Sequence, residues 1–285
     1  MSLPHGLLPT RKPDTHKGDV GRVLVVAGSA GLTGAAALCS LGALRVGAGL
    51  VTLGIPKSLL ELFAIKLTEV MTMPLAETSA RALSTQALPD IVSALEDRDV
   101  LALGPGLSQQ AQTKQLVRQL IPRLAKPAVI DADALNALAE DVGVLKRVHH
   151  PLILTPHPGE MARLIRLSAA DVQRDRQRIA VEFAKRYGVI LVLKGHQTIV
   201  ANVDGQLYVN NTGNPGMASG GCGDVLTGMI AGLVGQGVAP FDAARLGVYL
   251  HGLAGDLAAD EVGTVGLIAS DLIDRIPAAI EAYQS

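Results

Sequence analysis

"RVLVVAGSAGLTGAAALCSLGALRVGAGLVTLGIP", Arg22 to Pro56, is the stretch whose reading decides the fold. Arg22–Ala27 is a short valine-rich run, which predicts a buried strand, and Ala35–Val46 follows with helical spacing. Leu50–Pro56 is a second apolar run after a glycine turn. Strand, helix and strand in 35 residues predict a parallel pair joined by a crossover helix.

The same alternation continues along the chain. Asp99–Gly104, Ala128–Asp131, Leu152–Thr155 and Val189–Gly195 read as further buried strands, each but the last with helical sequence behind it. Ala169–Tyr187 reads as one long charged amphipathic helix. Thr198–Asn211 breaks the pattern, with two β-rich runs around Asp204-Gly205 that predict a hairpin. After it the chain turns helical, at about Asp224–Val234, Phe241–Asp260 and Asp271–Tyr283 with Pro277 inside. The expected fold class is α/β, a central, mostly parallel sheet with helices on both faces. With no repeat or long linker, residues 1–285 read as one domain.

Composition narrows the functions. Lys plus Arg number 25 against 26 for Asp plus Glu, a formal charge of −1, so no basic face recruits nucleic acid or anionic lipid. Glycine is abundant, 31 of 285 residues, against only seven Phe and Tyr together and no Trp. That fits an aliphatic core with glycine-rich loops. Cys39 and Cys222 lie far apart, which argues against a disulfide framework or zinc site. The N-terminal stretch lacks the apolar core of a signal peptide, and no apolar run reaches membrane-spanning length. A soluble cytoplasmic protein acting on small molecules is expected.

In an open parallel sheet, ligands sit beyond the carboxyl ends of the strands, so the loops there hold the candidates. "AGSAGLTGAA" (Ala27–Ala36) has GxxGxxG spacing, not GxGxxG, and the second strand ends without the acid that would hold a ribose. A hydride-transferring dinucleotide fold is disfavoured. Gly34 and Ala35 either let a ligand near the backbone or serve tight packing. Gly106 in "LGPGL" is an ordinary turn residue or a bare surface for a flat ligand. Asp133 in "DADALNAL" reads as a helix N-cap, whereas Asp131 at the strand's end faces the ligand side. His157, locked between Pro156 and Pro158, suits a ligand-facing group; Glu160 reads as a helix-dipole carboxylate, since HxxE offers one imidazole and no second histidine at the spacing zinc needs.

Two loops suit phosphate. Lys194, Gly195 and Thr198 in "LKGHQTIV" offer a cation, bare backbone and a hydroxyl, if Lys194 is more than a solvated edge residue. Gly220, Gly221 and Gly223 precede a helix, so their N–H groups and the helix end form an anion cradle. The sequence lacks the GK[ST] ending of a Walker A loop. Asp224 either caps this helix or faces a hydroxyl that attacks the phosphate. The helix end predicts an ionised Asp224, hence a weak base.

"HKGDVGRVLVVAGSAGLTGAAAL", "GAGLVTL", "LGPGL", "DADAL", "LTPHPGE", "LKGHQTIVA" and "NNTGNPGMASGGCGDVLTGMIAGL" occur in that order from His16 onward. Together they resemble the ADP/ATP-dependent NAD(P)H-hydrate dehydratases of the ribokinase-like superfamily. The resemblance implies a ribokinase-like fold and repair of the S form of hydrated NADH and NADPH (NADHX, NADPHX). The ring hydroxyl would be phosphorylated, with ADP giving AMP or with ATP, and phosphate then lost. It implies that Asp224 activates the hydroxyl. Ala35, Gly106, His157 and Asp224 would touch the hydrate, and Lys194, Gly195, His196, Gln197, Thr198 and Gly223 the nucleotide. Mg²⁺ is expected with the phosphates, with Glu160 or Asp131 reaching it through water. A homo-oligomer, a tetramer favoured, is also implied; with the chain short for a fused epimerase, a separate NAD(P)HX epimerase or spontaneous epimerisation is expected to supply the S form. Cys222 stands where the family usually has a different small residue; at a helix N-terminus its thiol is expected to be acidic and reactive. The rival readings are a kinase of the same superfamily acting on a thiazole or pyrimidine alcohol, and a catalytically silent nucleotide-binding protein.

Overall fold

The computed structural model describes residues 6–285. β1 (Arg22–Val26), α1 (Thr33–Arg45) and β2 (Leu50–Pro56) form the opening unit. β1 and β2 pair in parallel with Val23 opposite Val51. After α2 (Leu60–Lys66) comes β3 (Met71–Leu75), which the sequence reading passed over. "MTMPL" carries a proline and no alternation, and it succeeds only as the sheet's edge strand, where a missing donor is tolerated.

The chain continues through α3 (Leu88–Ala94), β4 (Val100–Leu103), α4 (Ala111–Leu120), β5 (Ala128–Ile130), α5 (Ala132–Leu138) and β6 (Leu152–Leu154). Then follow α6 (Pro158–Ile165), α7 (Ala169–Arg174), α8 (Arg176–Tyr187) and β7 (Ile190–Leu193). The expected single helix over Ala169–Tyr187 is therefore two. Ser168 opens α7 with a capping box to Asp171, and Asp175 leaves helical geometry at φ −141° and ψ 47°. β8 (Ile199–Ala201) and β9 (Leu207–Val209) are the expected hairpin, and α9 (Cys222–Gly235), α10 (Pro240–Val262) and α11 (Ala269–Gln284) complete the fold.

The nine strands lie in the order β3-β2-β1-β4-β5-β6-β7-β8-β9, antiparallel only at β7–β8 and β8–β9. Strand order reverses between β1 and β4, opening a crevice at their carboxyl ends where such folds bind ligands. Alternating side chains fill both faces. Val23 and Val25 pack with α1, α9, α10 and α11, while Leu24 and Val26 pack with the helices from α3 to α8. On the first face the helices touch by backbone. A Cβ on Gly228 of α9 would stand 1.9 Å from the carbonyl oxygen of Cys39 in α1, and one on Gly42 would stand 2.6 Å from that of Val225. Only glycine allows α1 and α9 this close, and the contact fixes where α9 begins.

Candidate active site

The crevice between β1 and β4 is lined by backbone. Gly106 has φ +63°, Ser29 Oγ donates to its carbonyl at 2.8 Å, and the N–H of Gly28 donates to the carbonyl of Pro105 at 2.8 Å. A Cβ at Gly106 would meet Leu32 O at 2.6 Å and Ala35 Cβ at 3.1 Å, so Gly106 and Ala35 adjoin. Gly34 has open space where a side chain would be, so packing does not require its glycine. Asp133 is not the N-cap that was expected. Asp131 occupies that place, and Asp133 in the first turn of α5 accepts the Ser108 N–H at 2.8 Å, tying the loop after β4 to α5.

His157 caps α6. Its Nδ1 accepts the N–H groups of Gly159 at 3.0 Å and Glu160 at 3.3 Å, and Glu160 Oε2 accepts the His157 N–H at 2.8 Å. This closed capping box fixes the imidazole ring, whose side chain is 51% exposed, and Nε2 lies 3.5 Å from Glu160 Oε1. Burial, then Lys194 and Arg163, hold the His157 pKa below the ordinary value. Burial raises that of Glu160.

Asp131, at the end of β5, is 1% exposed and uses both oxygens. Oδ1 accepts from Lys194 Nζ at 2.6 Å and Oδ2 from Thr227 Oγ1 at 2.8 Å. Lys194 also lies 3.9 Å from Glu160. A Cβ on Gly223 would stand 3.3 Å from Lys194 Nζ, so the ammonium bridges the β7 loop and the start of α9. Burial opposes its charge most, yet Asp131 and Glu160 outweigh it and raise its pKa. Lys194 is thus no solvated edge residue. Thr227, one turn beyond Gly223, was missed in sequence because a threonine inside an apolar helix carries no distinguishing pattern.

α9 begins at Cys222, two residues before the expected start, with Gly221 as N-cap at φ +98°. Asp224 is therefore in the first turn and not the cap, and it takes no hydrogen bond from the described residues. The expectation of a readily ionised Asp224 is overturned. Burial, with the charge of Asp131 next, raises its pKa to about 7 against the helix end and Lys194. The expectation for Cys222 fails for a related reason. Its thiol is buried, 4% exposed, and burial raises its pKa, so the helix terminus does not produce an exposed thiolate.

Beyond Lys194, a cleft of about 490 Å³ is lined by Gly195, His196, Gln197 and Thr198, by Gly223, and by Thr212, Met217 and His251. His251 was not anticipated; its Nε2 meets the Cys222 carbonyl at 2.8 Å and burial lowers its pKa to about 4. A carbonyl can only accept, so Nε2 bears the proton. A roomier crevice of about 560 Å³ borders α8, but it gathers none of these groups. Of its charged residues, Arg178 and Glu182 pair with each other and Glu140 pairs with Lys114 and Arg118 from outside it.

No group of three or more His, Cys, Asp or Glu among the described residues could hold a metal by itself. Mg²⁺ carried by phosphates needs only one or two protein carboxylates. Asp131 is fully engaged, which leaves Glu160 as the better placed of the two expected acids. No helix among the described residues is long and apolar enough to cross a membrane.

Known proteins are similar to this chain in sequence and fold. The family model described as NAD(P)H-hydrate dehydratase matches residues 23–278. A Moorella thermoacetica protein named bifunctional NAD(P)H-hydrate repair enzyme is 55% identical over 270 residues, covering 95% of this chain. The chain spans about half the length of that relative, 51%. A Neisseria meningitidis ADP-dependent (S)-NAD(P)H-hydrate dehydratase is 37% identical over 95% of this chain and 88% of its own length. The crystal structure of a Bacillus subtilis ADP/ATP-dependent NAD(P)H-hydrate dehydratase, co-crystallised with ATP and Mg²⁺, superposes with a TM-score of 0.82. It is 34% identical and covers 97% of this chain and 94% of its own. With the parallel sheet, the glycine cradle and the unpaired Asp224 at its head, the chain belongs to the NAD(P)H-hydrate dehydratase family.

Proposed function

We propose that this protein restores NADH and NADPH from their S hydrates by phosphorylating the ring hydroxyl and eliminating phosphate, with ADP as donor and AMP as product. The observation that carries the reading is Asp224. It is an acid without a partner, at the start of a glycine-capped helix and beside a cleft walled by Lys194–Thr198. An anion cradle gains nothing from a carboxylate unless that carboxylate serves another group.

Ala35 and Gly106 offer the flat backbone on which the hydrated ring rests, and His157 bounds it. Lys194, Gly195, His196, Gln197, Thr198 and Gly223 hold the nucleotide. With its pKa raised to about 7, Asp224 is basic enough near neutrality to take the hydroxyl proton. The hydroxyl oxygen attacks the terminal phosphorus, AMP leaves, and the carbon–oxygen bond then breaks with loss of phosphate and a ring proton. Mg²⁺ bound to the phosphates would neutralise their charge, with Glu160 its protein contact through water.

The reading includes a single domain, supported by one sheet that runs through the chain, and a cytoplasmic homo-oligomer, a tetramer favoured. It also includes a supply of the S form, by an NAD(P)HX epimerase activity or by spontaneous epimerisation. The test follows recovery of reduced-nicotinamide absorbance from hydrated NADH and NADPH with Mg²⁺ and ADP, ATP or neither. Recovery that needs a nucleotide and is lost in Asp224→Asn is expected. Tight nucleotide binding without recovery would overturn the reading and favour a superfamily kinase.

A further inference from the structure

The break between α7 and α8 places Arg176 at the first position of α8, where a cation opposes the helix dipole. Its guanidinium compensates by reaching the β7 loop. Nη2 donates to the carbonyls of Leu193 at 3.0 Å and Lys194 at 3.3 Å, and Nη1 donates to that of His196. Nε is buried without a partner. The cost of that orphaned donor is offset by the three carbonyl contacts of the guanidinium.

Those carbonyls determine where the adjoining N–H groups point. Carbonyl and N–H of one trans peptide point in opposite directions. The first peptide shows the effect: Leu193 O faces Arg176, and the N–H of Lys194 points away to Pro156 O at 2.9 Å. In the next, Lys194 O faces Arg176, so the N–H of Gly195 points away from it. In the third, His196 O does the same and turns the N–H of Gln197 outward. The N–H groups of Gly195 and Gln197 find no acceptor among the described residues. Positive φ values of +136° at Gly195 and +54° at Gln197 mark a tight loop around His196, with the free N–H groups of Gly195 and Gln197 on either side of that residue. A Cβ on Gly195 would come within 3.2 Å of Arg176 Nη2 and press on the brace, and the φ of +136° itself favours glycine there.

We propose that Arg176 is a positioning residue: it gathers three carbonyls behind the Lys194–Gln197 loop and thereby turns the free N–H groups toward the nucleotide phosphates. The inference rests on the nucleotide reading of that loop given above. Arg176 itself does not line the cleft.

The test compares wild type, Arg176→Ala and Arg176→Lys, with ADP binding by calorimetry and KM for each substrate. Wild type is expected to bind ADP and to shift the amide resonances of Gly195 and Gln197. Arg176→Ala should raise the nucleotide KM roughly 10- to 100-fold while the hydrate KM stays within about twofold. Added guanidinium should restore part of the loss. Arg176→Lys, with one ammonium for three carbonyls, should fall between the two; it decides the matter if the alanine variant does not fold. An unchanged nucleotide KM in either variant overturns the proposal. So does a parallel loss of both substrates without guanidinium rescue, which marks a general structural role. Failure of wild type to bind ADP overturns the nucleotide reading itself, independently of Arg176.

Discussion

α6 and α9 start at the same edge of the sheet, and each carries an acid at its third residue, Glu160 in one and Asp224 in the other. The cap separates them. His157 puts a ring nitrogen over the first turn of α6, and Glu160 reaches back to complete the box. Gly221 caps α9 with no side chain, so neither the N–H groups of its first turn nor Asp224 is used up within the helix. Both acids resist ionisation because they are buried, but only Asp224 is left without a hydrogen bond. Whether an acid at a helix start is structural or chemical is set here by the residue three positions before it.

The largest test of that contrast is activity. Asp224→Asn should lower kcat by about 10³-fold while nucleotide binding survives, since a positioned base supplies roughly 10²–10⁴. Glu160→Gln keeps an acceptor for the His157 N–H and should cost about tenfold or less at saturating Mg²⁺, with the Mg²⁺ requirement raised. An Mg²⁺ titration separates them. If Glu160→Gln matches Asp224→Asn at every Mg²⁺ concentration, the two acids share the chemistry and the contrast fails.

Next in size is the anchoring. α6 is held locally by its box, whereas α9 is held by contact with α1 at Gly228 and Gly42. Gly228→Ala puts a methyl into the Cys39 carbonyl and should destabilise by about 3 kcal/mol, read from urea unfolding. A loss below about 0.5 kcal/mol would show that α9 can move away freely.

The alternation from Arg22 to Leu193 was legible because parallel strands buried on both faces are continuous apolar runs, and the glycine loops follow them. β3 was not legible, because its edge position excuses the proline that argues against a strand. The candidate residues stood out at strand ends, yet their electrostatics did not. Asp224 and Cys222 were both read from the helix dipole, a local effect, and both are governed by burial, which the packing of other elements sets; at Asp224 the charge of Asp131 adds to it. Arg176 and Thr227 lay hidden for the same reason. One looks like a charged helix residue and the other like a polar interruption until their partners 17 to 96 positions away are known.

That burial has a measurable pH signature. With Asp224 titrating near 7, kcat/KM should fall tenfold per unit below that pH, and the limb should vanish in Asp224→Asn. Its folded-state pKa lies above the ordinary 3.8, so the folded form holds the proton more tightly. The resulting stability is fully present below about pH 4 and is lost as pH rises through about 7. Asp224→Asn should therefore gain in Tm over wild type as pH rises from 4 to 8. A gain independent of pH would assign it to something other than this carboxylate.

The smallest effect falls on the other helix. His157→Ala removes the α6 cap and should cost about 1 kcal/mol, most of it recovered by His157→Asn, whose side chain also caps. Nδ1 accepts two N–H groups only while unprotonated, and burial, Lys194 and Arg163 depress its pKa. The unfolded chain therefore takes the proton first. The His157 contribution is present above the ordinary 6.5 and is lost as pH falls through the lower folded value. Wild type should lose stability on the acid side where His157→Asn does not, opposite in sign to Asp224. If both variants show the same pH trend, the two helix starts are electrostatically one site, and the difference in their caps is not what separates their acids.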